Sequence, residues 1–532
     1  MRNQRFVLLL VLVPTSQVLR RGQPGAKARQ SVATAECRSR GSRLKGRQIK
    51  SNVTDRARSL STAYPNIYDS LSLSSVALSE RVACKHQDPG FRFAPPWASE
   101  VYHAFGVLLR TEAPEVCLSF RVFFTLNTCV ILMTGCTGAT KTTSFWNIMA
   151  WAVWIIALIV LVARPVLLSQ RGTSFDTYST AGSHWLHGEN VYTEWMGFVY
   201  SPLVATLFAP FALLPTPIAN IFWRLINAAA LLGGLAALLR SNVFANIKPQ
   251  QSGVAFLLML PLALGNIDIS QANPLVAGLI MLTVAAVYTK RWNSAAFCIA
   301  IVTLFKIYPL AVALLICVIA PRRFTWRFFL ALFLLSLLPF LFQSWSFVSG
   351  QYAEWIATRI ADNRRNWPVE KLPLDLWFIV HWLLLLPISQ KAFTLAQLGS
   401  AASIATFCAY SVWTRWSPNR VLAGLFCLSA VWMTLCGPAT ESYTYLLLAA
   451  PAILGLLESL HLNQGFWTRF WIWLSVCLQF LAVARASFMP HFKPFWILAV
   501  LPISALVFLG YCLAWLFNDV YWLARTATPQ DL

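Results

Sequence analysis

From about residue 150 onward, long apolar runs alternate with short polar stretches. Runs of roughly 17–25 apolar residues match the hydrocarbon thickness of a bilayer, where a helix satisfies its own backbone polar groups. Such runs fall near 150–168, 198–214, 217–239, 253–265, 273–289, 294–320, 326–342, 372–388, 393–413, 421–436, 443–457, 467–484 and 494–517. The run 294–320 is expected to break at Lys306 and Pro309. The pattern predicts an all-α, polytopic integral membrane protein with about 11–13 transmembrane helices.

Two polar stretches are long enough to carry chemistry, 172–197 and 343–371. The first contains SFDTYSTAGSHWLHGENVY (174–192), directly after the apolar WAVWIIALIVLVARPVLL. A helix over 175–187 would set Asp176, Thr180, His184 and His187 on one face, at spacings of four, four and three. Phe175, Tyr178, Trp185 and Leu186 fall largely on another side, the pattern of an amphipathic helix at the membrane interface. The stretch 172–197 has no Lys or Arg, which favours the extracytoplasmic side. Arg240, Lys248, Lys290, Arg291, Arg322 and Arg323 cannot all lie inside if every run crosses fully. One or two runs are therefore expected to be half-spans.

Composition agrees with this reading. Only 12% of residues are charged, 57% are hydrophobic, and the mean hydropathy is +0.59. The formal charge of +22 would point to nucleic acid in a soluble protein. Here about half of the excess precedes residue 148 and much of the rest flanks apolar runs, where Lys and Arg set topology. No nucleic-acid partner is expected. The 12 cysteines form no C-x-x-C pair, and most of those after residue 290 sit inside apolar runs as small core residues. No metal site is implied.

Residues 1–146 differ in kind, being basic, of low complexity and without periodicity. Such a composition buries too little apolar surface to fold alone. MRNQRFVLLLVLV resembles a secretory leader but lacks a small-x-small cleavage site, and 120–136 is a weak extra span. The expectation is a disordered basic extension or translation from a start codon set too far upstream, with Met133 or Met149 as alternatives. The membrane domain is placed at 147–525, with 526–532 a short polar tail.

Candidate chemistry clusters at a few polar positions within or beside the apolar runs. Asp176 after the first span has access to water and lipid headgroups, as a general base requires. T-S-F-D (173–176) also reads as a capping box, with Thr173 as N-cap, and spacing alone does not separate the two. His184 and His187 are interfacial side chains or acceptor contacts. GNIDISQANP (265–274) sets Asn266, Asp268, Gln271 and Asn273 between two spans, as sugar-reading amides or helix caps. Lys306 interrupts an apolar run, where a cation calls for a partner such as phosphate unless it snorkels to an interface. Glu441 opens a late span beside Ser442, Tyr443 and Tyr445, as a cap or an acceptor contact. The chain has no G-x-G-x-x-G, no Walker sequence and no D-x-D pair, which disfavours chemistry with a soluble nucleotide.

Together, F-D-x-Y-x-x-A-G-x-x-x-L-x-G-E-N-V-Y, then V-Y-S-P-L, S-Q-A-N-P-L (270–275) and F-K-I-Y-P-L (305–310) resemble glycosyltransferase family 87. The resemblance extends over about 150–520 and leaves out the N-terminal extension. It implies a GT-C membrane fold and inverting transfer of a sugar from a polyprenyl-phosphate donor, most often mannose, to a glycan or glycolipid acceptor. It also implies a multi-pass protein of the bacterial cytoplasmic membrane, with an extracytoplasmic active site and no cofactor. Asp176 matches the acidic residue that serves as base. Lys306 matches a basic position close to the lipid phosphate, with Arg224 a second cation available to it. Further substrate contacts are expected at His184, Glu189, Tyr200, Gln271, Asn273, Tyr308 and Glu441. Where the family often shows S-W-x-H, this chain has Ser442, Tyr443, Thr444 and Tyr445, which puts a second catalytic residue and mannose specificity in doubt.

Two other classes compete. A transporter or flippase for a lipid-linked sugar would show matching repeats, and none is evident between 150–330 and 330–520. A polysaccharide polymerase or ligase would use a late polar loop, for which 343–371 offers Arg359, Arg364, Arg365 and Glu370. That loop reads equally as a solvated amphipathic segment.

Overall fold

The structure, a computed structural model, describes residues 139–523 except 168–172, 194–196, 363, 367–371, 439, 461–463 and 489–497. The N-terminal extension up to residue 138, the weak run 120–136, Glu370 and the tail 526–532 lie outside the described residues.

Among the described residues every regular element is helical. The first half comprises α1 (Ala139–Leu167), α2 (Ser174–His187), α3 (Pro202–Ala212), α4 (Thr216–Arg240), α5 (Ser252–Asp268), α6 (Asn273–Tyr288), α7 (Trp292–Phe305) and α8 (Leu310–Ile319). The second half adds α9 (Pro321–Leu337), α10 (Trp345–Ala361), α11 (Gln390–Trp413), α12 (Pro418–Leu435), α13 (Leu446–Ser459), α14 (Phe466–Phe488) and α15 (Val500–Leu516). Among the described residues seven helical stretches are long and apolar enough to cross a membrane, and six apolar helices are shorter. This is a polytopic α-helical membrane protein.

The layering follows from which side chains each helix leaves uncovered. α12 and α13 are buried along nearly their whole length, whereas α1, α9, α11 and α14 turn mostly exposed apolar faces outward. Ile155, Ile156 and Ile159 of α1 are among these outward residues, as lipid contact requires. Inside, α4 and α6 cross closely because Gly278 has no side chain. A Cβ there would sit 2.1 Å from the Ala230 carbonyl oxygen. Small residues at such crossings let two membrane helices gain dispersion contact along their backbones.

Two runs depart from simple spans, each for a local reason. The 294–320 run breaks as expected: α7 ends at Phe305, Lys306 is extended (φ −141, ψ 132), and α8 begins after Pro309. Proline lacks the N–H that would continue the helix and disfavours helical backbone at the residue before it. The 372–388 run, by contrast, does not form a span. It carries Pro373, Asp375 and Pro387, and its helical core is a short π-helical turn at Phe378–Leu383. Asp375 Oδ1 accepts the Phe378 N–H (3.2 Å), while Leu374 N–H donates to Thr440 O (2.7 Å). α3 is also short: its 11 residues rise roughly 16 Å, about half of a hydrocarbon core.

Candidate active site

α2 is seated by its aromatic side. Ser174 N–H donates to Ile269 O (3.0 Å) and Thr173 N–H donates to Asp176 Oδ2 (2.9 Å), so Asp176 fastens the first turn. Phe175, Tyr178, Ala181, Gly182 and Trp185 are buried. Tyr178 packs on Phe208 (4.8 Å between ring centres), and Phe208 on Trp223 (4.7 Å). A Cβ on Gly182 would approach Phe208 O to 2.5 Å, so glycine sets how closely α2 lies on α3. The predicted two-sided helix is thus present, but its aromatic side meets protein rather than lipid, and Leu186 is exposed instead of joining it. Thr180 and His187 are exposed, and Asp176 and His184 are half-buried.

Beside α2 lies a cleft of about 640 Å³ of atom-free space, partly open to solvent. The broken α7–α8 segment supplies Lys306 and Tyr308, the α5–α6 turn supplies Gln271, and the stretch before α3 supplies Tyr200. Trp355 and Arg359 of α10, with Arg364 after it, form another wall, and Pro438, Glu441 and Thr444 close the remaining side. Lys306 Nζ donates to Asn273 Oδ1 (2.6 Å), and Tyr308 Oη donates to the same oxygen (3.2 Å). Asn273 in turn donates to Asn266 Oδ1 (3.2 Å). These bonds fix the ammonium at the break between α7 and α8.

Charge on the opposite wall is organised by Asp362. Its carboxylate takes Arg359 Nη2 (2.9 Å) and Arg364 Nε (3.0 Å), and Arg364 Nη1 reaches Glu441 Oε1 (2.9 Å). Burial alone would lower the pKa of Arg364, but the charges of Asp362 and Glu441 more than offset it. Among the described residues, three cations, Lys306, Arg359 and Arg364, thus stand with two carboxylates, Asp362 and Glu441, in this cluster. Tyr200 Oη lies 3.0 Å from Tyr178 Oη. Burial, reinforced by the Glu441 charge, pushes the Tyr200 phenol up to about 12, so it is neutral and able to donate.

The model of glycosyltransferase family 87 matches residues 198–438. Over that segment, a little under half of the 532 residues, the chain carries the features of this family. No curated protein matches the chain. The match indicates a membrane glycosyltransferase, and polar side chains of the matched segment line the cleft. Tyr200, Gln271, Lys306, Tyr308, Arg359 and Arg364 fall inside the match, whereas Asp176, His184, Glu189 and Glu441 lie outside it.

Of the residues singled out from sequence, Tyr200, Gln271, Lys306, Tyr308 and Glu441 line the cleft. Asn273 is fully buried and acts through Lys306 and Tyr308. Asp176 does not line the cleft. It sits two residues before Tyr178, whose hydroxyl meets that of Tyr200. His184 and Glu189 lie at the far end of α2, 3.8 Å from each other. Arg224 is completely buried and donates to Leu161 O, Asp268 O, Asn220 Oδ1 and Ser270 Oγ. Those bonds tie α4 to the ends of α1 and α5. Trp355, Arg359 and Arg364 are among the cleft residues that the sequence does not place in this site. The signal for the two arginines is the basic content of 343–371, which in the sequence equally suits a polymerase or ligase loop.

Proposed function

We propose that this enzyme transfers a hexose, mannose by resemblance, from a polyprenyl-phosphate sugar to a glycan or glycolipid acceptor on the extracytoplasmic face of a bacterial cytoplasmic membrane. The observation that carries this reading is the convergence of Lys306, Arg359 and Arg364 on one cleft, three cations against two carboxylates among the described residues. That charge suits a phosphate whose negative charge grows as it leaves, and a fixed cation in a low-dielectric site stabilises such a group by several kcal/mol.

In the proposed reaction the acceptor hydroxyl oxygen attacks the anomeric carbon opposite the phosphate. The carbon–oxygen bond to phosphate breaks, polyprenyl phosphate leaves, and one displacement inverts the configuration. Asp176 accepts the hydroxyl proton. Its Oδ2 is engaged by Thr173, and Oδ1 takes no hydrogen bond among the described residues. Tyr200 and Gln271 contact sugar hydroxyls. The leaving group is already a stable phosphate ester, so the reaction proceeds without a metal or other cofactor.

A second assignment of the base has its own support: Glu441 lines the cleft and Asp176 does not. Purified protein incubated with polyprenyl-phosphate mannose, a panel of acceptors and excess chelator tests both. Asp176→Asn is expected to keep expression and lipid-phosphate binding while losing transfer. Near-normal turnover in that variant, with loss in Glu441→Gln, moves the role to Glu441. Absence of polyprenyl-phosphate binding removes the donor assignment altogether.

A further inference from the structure

The carboxylates on the cationic wall are held very differently. Asp362 is bonded to both arginines and its side chain is 9% exposed, whereas Glu441 pairs with one arginine, Arg364, among the described residues and is 48% exposed. An ion pair half in solvent is worth about 0–1 kcal/mol, less than the charge-assisted, two-point contact a phosphate makes with guanidinium. The backbone beside Glu441 is fixed, since Thr444 N–H donates to Glu441 O (2.9 Å) and Glu441 N–H donates to Thr444 Oγ1 (3.3 Å). The half-exposed side chain, by contrast, is held by its pair with Arg364 and the capping arrangement with Thr444.

We infer that Glu441 is a displaceable counter-ion that makes substrate binding ordered. Without substrate it occupies Arg364. An arriving donor phosphate takes Arg364 in its place, and the released carboxylate turns to the acceptor hydroxyls, so the acceptor site is complete only once the donor is bound. Asp362 keeps Arg364 and Arg359 in position during the exchange. This inference rests on reading the cleft as the sugar-phosphate donor site.

The test is carbodiimide labelling of carboxylates in the full-length protein in nanodiscs, quantified by mass spectrometry with and without polyprenyl phosphate. Labelling of Glu441 is expected to rise at least twofold on binding, because its salt-bridge partner has been taken. A fall or no change while polyprenyl phosphate is bound overturns the inference. In a parallel measurement, Glu441→Gln is expected to bind polyprenyl phosphate about two- to fivefold tighter, the strength of the pair it loses. Unchanged affinity also overturns the inference. Lys306→Gln and Arg359→Gln separate the two levels. If neither weakens polyprenyl-phosphate binding, the donor-site reading has failed; if both weaken it while Glu441 labelling stays flat, only the exchange has failed. An arm with inorganic phosphate distinguishes the headgroup from the lipid: a rise in labelling there supports exchange driven by phosphate charge alone.

Discussion

Asp375 offers the sharpest quantitative check on the architecture beside the cleft. It is 2% exposed, and burial pushes its carboxyl from the ordinary 3.8 up to about 7, although Phe378 N–H and Arg365 pull the other way. Arg365 lies with its guanidinium over the rings of Trp377 (4.9 Å) and Phe393 (4.4 Å). The folded state therefore holds a proton on Asp375 that the unfolded chain has already released. Between about pH 4 and pH 7 the folded state binds more protons, so stability falls as pH rises and the full cost is present above pH 7. At about 1.4 kcal/mol per unit, a shift of about three units sets a ceiling near 4 kcal/mol on that cost. Asp375→Asn removes the charge and keeps an oxygen for the Phe378 N–H, since asparagine caps as well as aspartate. Thermal unfolding followed by tryptophan fluorescence across pH 4–9 reads the effect. The variant is expected to match wild type near pH 4 and to exceed it in melting temperature at pH 8. Parallel curves, or a variant less stable at pH 8, would refute the argument that burial dominates at this carboxyl.

Other outcomes follow from the same geometry. Lys306→Gln is expected to weaken polyprenyl-phosphate binding about tenfold or more, the loss of one charge-assisted bond, as measured by native mass spectrometry. Asn273→Leu should reduce the same affinity without removing the cation, because it frees Lys306 to leave the cleft; unchanged binding would show that Asn273 is not what positions it. Gly278→Leu forces a side chain into the Ala230 carbonyl, and monodisperse protein on size exclusion should be lost; a wild-type profile would contradict the close α4–α6 crossing. Arg224→Met should lower the melting temperature through unpaired carbonyls at Leu161 and Asp268, whereas reduced donor affinity in a protein of wild-type stability would return Arg224 to the binding site.

Apolar run length was enough to establish that the chain is a helical membrane protein, because a bilayer imposes its thickness on any segment that crosses it. Local chemistry was likewise legible one segment at a time. Pro309 broke the helix where expected, Asp176 made its capping contact, and the polar and aromatic sides of α2 separated by helical spacing. The family resemblance drawn from F-K-I-Y-P-L and its neighbours also held.

Everything that depended on which segments meet was decided only by packing. Arg224 and Lys306 look alike in sequence as cations within apolar runs. Carbonyls contributed by α1 and α5 consume the first, while the break between α7 and α8 turns the second into the cleft. Arg359 and Arg364 lie some fifty residues beyond Lys306 and no local pattern links them, yet α10 and the turn after it bring them to the same space. The run 372–388 was apolar enough to span, but Pro373, the Asp375 bond from Phe378 N–H and the Leu374 N–H bond to Thr440 O fold it beside the cleft. Periodicity and length are properties of a single segment, and so the sequence determined the elements. Charge compensation and cavity shape arise between segments distant in sequence, and only the tertiary structure could determine the site.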